Sequence, residues 1–421
     1  SVFDVIQYWH GDPATRTVAL YLDNFGNPRN FVRAGRRISM IKPVVAVAPA
    51  DLDLAAMARA SGIVLVDHVD ELVDQVRLMS SQPLPAGNSV VVVSNAASVA
   101  KLARAACEKA GLHLVAPADT EVDGALRGDE GSVLVDDADT LTFTRSAEEG
   151  AFERVVVAAA LSESVQSVLL ALVPTPLLPA ERLAQIVADV DRAVAKPVVS
   201  VNLVGEPAQV HSPPTFAYPE QAADALGRMA RYAIWRSSHS GVEPEEPADC
   251  EVLERAVDGL LGSDHERRVE TYSPDGAELF EALNLPVALT ALVTNERDAA
   301  EAADRLGYPV ALKASWRSDR RAGEAGGTVL DIRHKQHLRR AFKRMGGSRD
   351  QPMIVQHMHG TGAHIRLRLW QSPRSGSHLS IGIGGMGRSE LPALVQLVVP
   401  IDPGDVAIAL ASADQIGRAH V

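Results

Sequence analysis

The chain has 421 residues, of which 46% are hydrophobic, 22% charged and 4% aromatic. That balance describes a globular chain with core material for two to four domains at roughly 100–200 residues each. Lys and Arg number 41 against 53 Asp and Glu, a formal net charge of −12, which argues against a nucleic-acid partner. Two cysteines, Cys107 and Cys250, are too few for a disulfide scaffold; a reducing, cytoplasmic setting is expected. Residues 155–174 are the most apolar stretch, but Ser162-Glu163-Ser164 and Gln166 interrupt them. A span of about 20 apolar residues is therefore missing, and no membrane association is expected. The opening Ser1-Val2-Phe3-Asp4 has no basic start followed by an apolar run. Both ends are expected to be cut. Residues 416–421 match the translation of a common sequencing-adapter read and are set aside as an artefact.

The first third alternates strand and helix signals. Residues 17–22 form an apolar run ending at the turn Asp23-Asn24, and 28–39 read as a helix carrying Arg29, Arg33, Arg36 and Arg37. A buried strand is expected at 43–47, a helix at 52–60, a strand at 63–66 and a helix at 69–79. Apolar strands alternating with helices imply a parallel sheet covered on both faces. Residues 81–87, with two Pro and one Gly, punctuate the pattern. A second run follows, with strands at 90–93, 112–115, 168–173 and 197–204 and helices at 97–110, 180–193 and 219–236.

One echo links the two runs. Lys42-Pro43-Val44-Val45-Ala46-Val47 recurs as Lys196-Pro197-Val198-Val199-Ser200-Val201, each after a helix and entering a strand. Either the chain holds two flavodoxin-like subdomains or two ordinary helix–strand joints coincide. Residues 237–248 then form the clearest linker. Beyond it the pattern changes: helices at 274–283, 297–306 and 334–345, and strands at 288–293, 310–314, 329–332, 353–358, 364–370, 379–383 and 397–399. A mixed α+β unit ending in an antiparallel sheet is expected.

The stretch 275–313 carries the most specific pattern: helix, the turn Leu285-Pro286-Val287, strand, helix, then Leu306-Gly307-Tyr308-Pro309-Val310-Ala311-Leu312-Lys313. It resembles the nucleotide-binding half of the ATP-grasp fold, in which a strand-end Lys faces the adenine or α-phosphate side of ATP. An ammonium there supplies a charged donor to phosphate. The resemblance implies a Gly-rich flap at Gly323, Gly326 and Gly327, since Gly lets backbone amides approach phosphate. It also implies an adenine-contacting hinge at Gln356 and Met358. Upstream, Tyr21-Leu22-Asp23-Asn24-Phe25-Gly26-Asn27-Pro28-Arg29-Asn30-Phe31, followed by residues 42–47, resembles the succinyl-CoA-ligase-like domain of NDP-forming acyl-CoA synthetases. Ile381-Gly382-Ile383-Gly384-Gly385 resembles the Gly-rich strand near the end of their ATP-grasp part, and Phe216-Ala217-Tyr218-Pro219-Glu220 their helix entry before the linker. The variant resembled is the one fused to a GNAT acetyltransferase.

The resemblance implies an α/β fold with two flavodoxin-like, succinyl-CoA-synthetase-like parallel-sheet subdomains at 1–82 and 83–236. A linker at 237–250 and an incomplete α+β ATP-grasp domain at 251–415 would follow. Implied ligands are ATP, Mg2+ and CoA or acyl-CoA. Implied partners are CoA-binding and GNAT domains of the same protein, with a homo-oligomer open to it.

Departures from the family matter as much. The family passes phosphate from ATP to a mobile His, then to an acyl group that CoA captures. That His lies in a loop after the Lys-Pro-Val-Val strand, but here Val47 runs into Ala48-Pro49-Ala50-Asp51-Leu52 and the next His is His68. His68 reads as a helix-start surface residue. Arg321 stands where relatives carry a His before the Gly-Gly pair, with Glu324 at the usual acidic position. After strand 90–93 the phosphate-holding turn reads Ser94-Asn95-Ala96-Ala97-Ser98, leaving Asn95 and Ser98 as anion donors. No catalytic residue and no metal ligand is assigned. The expected function is a catalytically degenerate synthetase module that regulates a GNAT protein acetyltransferase; the alternative is an active ADP-forming acyl-CoA ligase.

Weaker candidates complete the reading. His357, His359 and His364 are either a metal site or exposed strand polars. Arg317, Arg320 and Arg321 either steer a triphosphate or form a solvated loop. The basic residues of 333–344 read as a solvated helix face. Gly382, Gly384 and Gly385 precede no helix, so they make no dinucleotide fingerprint.

Overall fold

The computed structural model describes residues 2–22, 26–48, 52–116, 133–136, 140–143, 149–176, 178–203, 213–239, 251, 254, 257, 279–281, 283, 285–315, 327–360, 362, 365–372, 374–383 and 395–418. They fall into two compact units, one of 1–244 with 365–421 and one of 245–364.

The first unit begins with helix α1 (Val2–Gly11), strand β1 (Val18–Tyr21), helix α2 (Pro28–Ser39), β2 (Val44–Val47), α3 (Leu52–Ser61), β3 (Val64–Val66) and α4 (Val69–Ser81). The three strands pair in parallel in the order β1-β2-β3. Local chemistry sets the helix start: Asn27 accepts from the Asn30 amide at 3.1 Å, and Pro28 occupies the first turn, where its missing N–H costs nothing.

A larger sheet follows. Its strands are β4 (Ser89–Ser94), β5 (His113–Leu114), β6 (Val133–Asp136), β7 (Thr140–Phe143), β8 (Ser167–Leu172), β9 (Val198–Asn202) and β10 (Thr215–Phe216). The order is β10-β9-β8-β4-β7-β6, with β5 on β4, parallel except for β6 against β7. Helices α5 (Ala97–Lys109), α6 (Glu149–Leu161), α7 (Ala180–Ala193) and α8 (Pro219–Ser238) cover it.

Strand alternation divides the core in two. Val90 and Val92, Leu169 and Ala171, and Val199 and Val201 enter one cluster; Val91 and Val93, Val168 and Leu170, and Val198 enter the other. A sheet covered on both faces needs apolar residues at consecutive positions, which is why these strands read as unbroken Val runs. The first cluster also takes Val45 and Val47 of β2 and most of the buried residues of α8. Helix α8 is accordingly rich in buried small and apolar residues, while Glu220, Arg231 and Arg236 stay exposed. At Gly227 a Cβ would lie 2.6 Å from the Ala110 carbonyl oxygen, so this close crossing of α8 against the end of α5 requires glycine.

The Lys-Pro echo has a structural counterpart. The Val18 amide donates to the Pro43 carbonyl and the Val168 amide to the Pro197 carbonyl, each at 2.9 Å. Lys42 Nζ donates to the carbonyls of Trp9 (2.6 Å) and Asp12 at the end of α1. Lys196 Nζ donates to the Ser162 carbonyl (2.5 Å) just past α6. In both places a lysine beside the strand entry satisfies the open carbonyls of the helix before the upstream strand, where the helix dipole favours a cation.

The interrupted apolar stretch 155–174 is the tail of α6 and then β8, joined by the Ser162–Gln166 turn. The Gln166 amide reaches Ser89 O at 3.1 Å, and its side chain accepts from the Ser89 amide at 3.2 Å. Among the described residues no helix is long and apolar enough to cross a membrane.

In the second unit, strands β11 (Thr290–Val293), β12 (Val310–Ala314), β13 (Thr328–Ile332) and β14 (Met353–His357) form an antiparallel sheet in the order β11-β14-β12-β13. Helices α9 (Glu296–Leu306) and α10 (Lys335–Arg344) pack on one face through Ala299, Ala302, Ala303, Leu338, Ala341 and Phe342. Asn295 caps α9 by accepting from the Asp298 amide at 2.9 Å, and Gly307 ends it at φ +84°. The expected helix at 274–283 lies mostly outside the described residues.

The chain then returns to the first unit. Strands β15 (Ile365–Ser372), β16 (Gly376–Ile383) and β17 (Val395–Val398) form an antiparallel sheet, followed by α11 (Pro403–Arg418). Val398 joins the core of β1, β2, α2 and α3.

Candidate functional site

The face of the β11–β14 sheet opposite α9 and α10 carries the candidate site. Along β12, Val310, Leu312 and Ala314 point into the core, which puts Lys313 on the opposite face. Lys313 pairs with Thr328 of β13 and Ile354 of β14. Two residues along β14, Gln356 lies on the same face, and Lys313 Nζ donates to Gln356 Oε1 at 2.7 Å. Leu292 of β11 and Leu330 of β13, each more than a third exposed, flank the pair on this face. A half-buried ammonium between exposed aliphatic side chains offers a charged donor and a flat apolar surface. That combination suits a ligand with an anionic group and a planar ring.

The hinge after β14 is tied down. The Met358 amide donates to the Pro309 carbonyl at 2.9 Å, and Met358 Sδ accepts from the Asp331 amide at 3.1 Å. Asp331 stands at φ +53°, and its carboxylate pairs with Arg333 at 2.9 Å. The hydrogen bond from Arg333 holds the Asp331 carboxyl below its ordinary pKa. His357 Nδ1 lies 3.0 Å from the Gly307 carbonyl and His357 meets His359 edge-on at 5.3 Å. Burial, then the charge of Asp304, raises the Tyr308 phenol.

The hairpin from β12 to β13 begins to close at Gly327, whose carbonyl accepts from the Ala314 amide at 2.8 Å. Arg317, Arg320, Arg321, Gly323, Glu324, Gly326 and His364 lie outside the described residues. Among the described residues, no three His, Cys, Asp or Glu are grouped to hold a metal ion.

Asn95 lies in the other compact unit. Its Nδ2 donates to the Val173 carbonyl and its Oδ1 accepts from the Val173 amide, both at 2.8 Å. Ser94 Oγ donates to the Ala171 carbonyl at 2.6 Å. The side chain of Asn95 therefore prolongs the β8 ladder by one step, while Ser98 is exposed at the start of α5. His68 is exposed at the N-cap of α4 and makes no side-chain cap bond there.

Residues 263–414 match the family model of the ATP-grasp domain, and residues 1–53 match that of the succinyl-CoA ligase like flavodoxin domain. The chain is similar to 4-hydroxybutyrate–CoA ligase [ADP-forming] of Nitrosopumilus maritimus, at 23% identity over 92% of this chain and 60% of that protein. It is also similar to acetate–CoA ligase [ADP-forming] I subunit alpha of Pyrococcus furiosus, at 21% identity over 56% of each. A solved structure of the same fold is the apo form of dinucleotide forming acetyl-coenzyme A synthetase 1 from Ca. Korarchaeum cryptofilum. It aligns with a TM-score of 0.50 and 20% identity, covering 56% of this chain and 57% of that one. The chain spans about 60% of the length of these curated relatives or less. It carries a succinyl-CoA ligase like flavodoxin domain and an ATP-grasp domain, and its sequence relatives are ADP-forming CoA ligases.

Proposed function

We propose that the chain is an NDP-forming acyl-CoA synthetase-like module that binds ATP at the Lys313 face and CoA or acyl-CoA through its flavodoxin-like part. The observation that carries this reading is the Lys313–Gln356 pair on the sheet face opposite α9 and α10, within the ATP-grasp match. In it Lys313 faces phosphate, Gln356 and Met358 line the base, and the segment of Arg321, Glu324, Gly326 and Gly327 covers the nucleotide. Mg2+ enters as the ion that accompanies the triphosphate. Asn95 belongs to the scaffold of the flavodoxin-like part and contributes an anion contact only with its remaining amide proton.

The module has lost the phosphate relay and regulates a GNAT acetyltransferase within a longer cytoplasmic protein. Support for the loss is the sequence between Val47 and His68, which holds no histidine although the alignment with an ADP-forming ligase runs over 92% of the chain. A phosphohistidine relay needs an imidazole nitrogen that attacks the γ-phosphorus. Incubation of the full-length protein with γ-labelled ATP then yields no acid-labile phosphoprotein; a labelled histidine overturns the reading. The second reading, a working ADP-forming acyl-CoA ligase, is favoured by the names of the relatives. ADP release that depends on both a carboxylate and CoA would establish it.

A further inference from the structure

Three residues far apart in sequence meet inside the first unit. His239 follows the end of α8, and its side chain is wholly buried; Asp405 in the first turn of α11 and Arg36 in α2 are 7% and 13% exposed. His239 Nδ1 lies 2.6 Å from the Trp235 carbonyl oxygen and Nε2 lies 2.9 Å from Asp405 Oδ1. Asp405 Oδ2 accepts from Arg36 Nη2 at 2.7 Å and from the Asp402 amide at 2.9 Å.

The donor inventory fixes the protonation. A carbonyl only accepts, so Nδ1 carries a proton. The Asp405 carboxylate, which accepts from Arg36 and from the Asp402 amide, likewise only accepts, so Nε2 carries the second proton. His239 is thus an imidazolium at the C-terminal end of a helix, where the dipole favours a cation.

The surroundings are built tightly around it. The Trp235 and His239 rings lie 4.5 Å apart, and Trp235 is pressed on Gly62 so closely that a Cβ there would fall 2.3 Å from its ring. A Cβ on Gly404 would fall 2.3 Å from the Ser238 carbonyl oxygen. Arg36 also donates to the Ala60 carbonyl (3.1 and 2.8 Å) and the Pro400 carbonyl (3.4 Å). Asp402 accepts from the Gly404 amide at 2.7 Å, which closes the turn that presents Asp405.

We propose that Arg36, His239 and Asp405 form a proton-controlled clasp that fastens the returning C-terminal segment to the flavodoxin-like core and opens when His239 loses its Nε2 proton. The position gives the clasp its meaning. His239 lies five residues before Pro244, where the chain leaves this unit, and Asp405 lies on the segment that returns at Ile365. Deprotonation would set a nitrogen lone pair against a buried carboxylate, leaving Asp405 with Arg36 alone.

The charged groups acting on His239 are Asp405 and Arg36. Burial by itself pushes the imidazole down, and Arg36 works in the same direction. The hydrogen bonds to Asp405 and the Trp235 carbonyl, with the charge of Asp405, outweigh both, so the pKa stands above the ordinary 6.5. The sign follows: the clasp's stability is fully present below the unfolded-state pKa and is lost as pH rises through the folded one.

Hydrogen exchange of the full chain between pH 6 and pH 9, corrected for intrinsic rates, tests the proposal. Amides of 395–411 should lose protection several-fold as pH rises, while those of β8 stay unchanged. In H239Q, which keeps a neutral donor, the pH dependence should vanish. Should H239Q not fold, the wild-type titration and the nitrogen chemical shift of His239 Nε2 decide. Protection of 395–411 that is flat with pH, or an unprotonated Nε2 at pH 6, overturns the clasp.

Discussion

Replacing Lys313 with Met tests the nucleotide reading at its strongest point. The substitution keeps the unbranched apolar stem along the sheet face and removes the ammonium that donates to Gln356 Oε1. A hydrogen bond to a charged group is worth about 1.5–3 kcal/mol. Taking about 2 kcal/mol for the contact with phosphate, Kd rises roughly 30-fold. At an ATP concentration 100 times the wild-type Kd, binding stabilises the folded chain by about 2.7 kcal/mol. The variant retains about 0.9 kcal/mol at the same concentration. Losing the Gln356 bond lowers the stability of the unliganded variant as well, so the quantity to compare is the ATP-dependent shift within each protein. Differential scanning fluorimetry with Mg-ATP, titrated in both, reads it. An equal shift in the two removes Lys313 from the site and with it the geometric basis of the proposed function.

Other perturbations check the scaffold. Lys42→Met, which strips two helix-end carbonyls of their donor, should destabilise by about 2–3 kcal/mol in urea denaturation, and Lys196→Met, which strips one, by about 1–2 kcal/mol. Gly227→Ala should destabilise by about 1–3 kcal/mol, although Ala is the better helix former by about 1 kcal/mol, because its Cβ meets the Ala110 carbonyl. A gain in denaturation midpoint would refute that contact. Burial, then the charge of Glu108, pushes the Cys107 thiol up to about 12, so iodoacetamide at pH 8 should leave its peptide unmodified in the native chain and label it after unfolding.

The parallel strands were legible because a sheet covered on both faces demands apolar residues at consecutive positions, as at 90–93, 168–172 and 198–201. The Lys-Pro echo was legible as well, but the letters said nothing about the destination of the two ammonium groups. Residues 133–161 were opaque: β6 and β7 are four-residue strands, and α6 runs into β8 through a short polar turn. A helix with Val155, Val156, Ala159 and Ala160 all buried followed by a buried strand shows no change of period strong enough to mark the join. At the candidate site the sequence named Lys313 and Gln356 from a resemblance, whereas their approach depends on the antiparallel register of β12 and β14. The meeting of Arg36, His239 and Asp405 left no trace, because separations of 166 and 369 residues carry no local pattern.

The path of the chain has a practical consequence for anyone dividing the protein for expression. Residues 263–414 are inherited as one block, yet packing assigns their last fifty or so to a different body from the rest. Evolutionary boundary and mechanical boundary disagree. A fragment ending at residue 244 would lack Val398, a member of the core cluster that holds Ile6, Val18, Phe31 and Val44, and would strand the Arg36 guanidinium without its carboxylate. A fragment starting at 263 would carry that same strand with its apolar side bare to water. Each fragment is deprived of something the other holds.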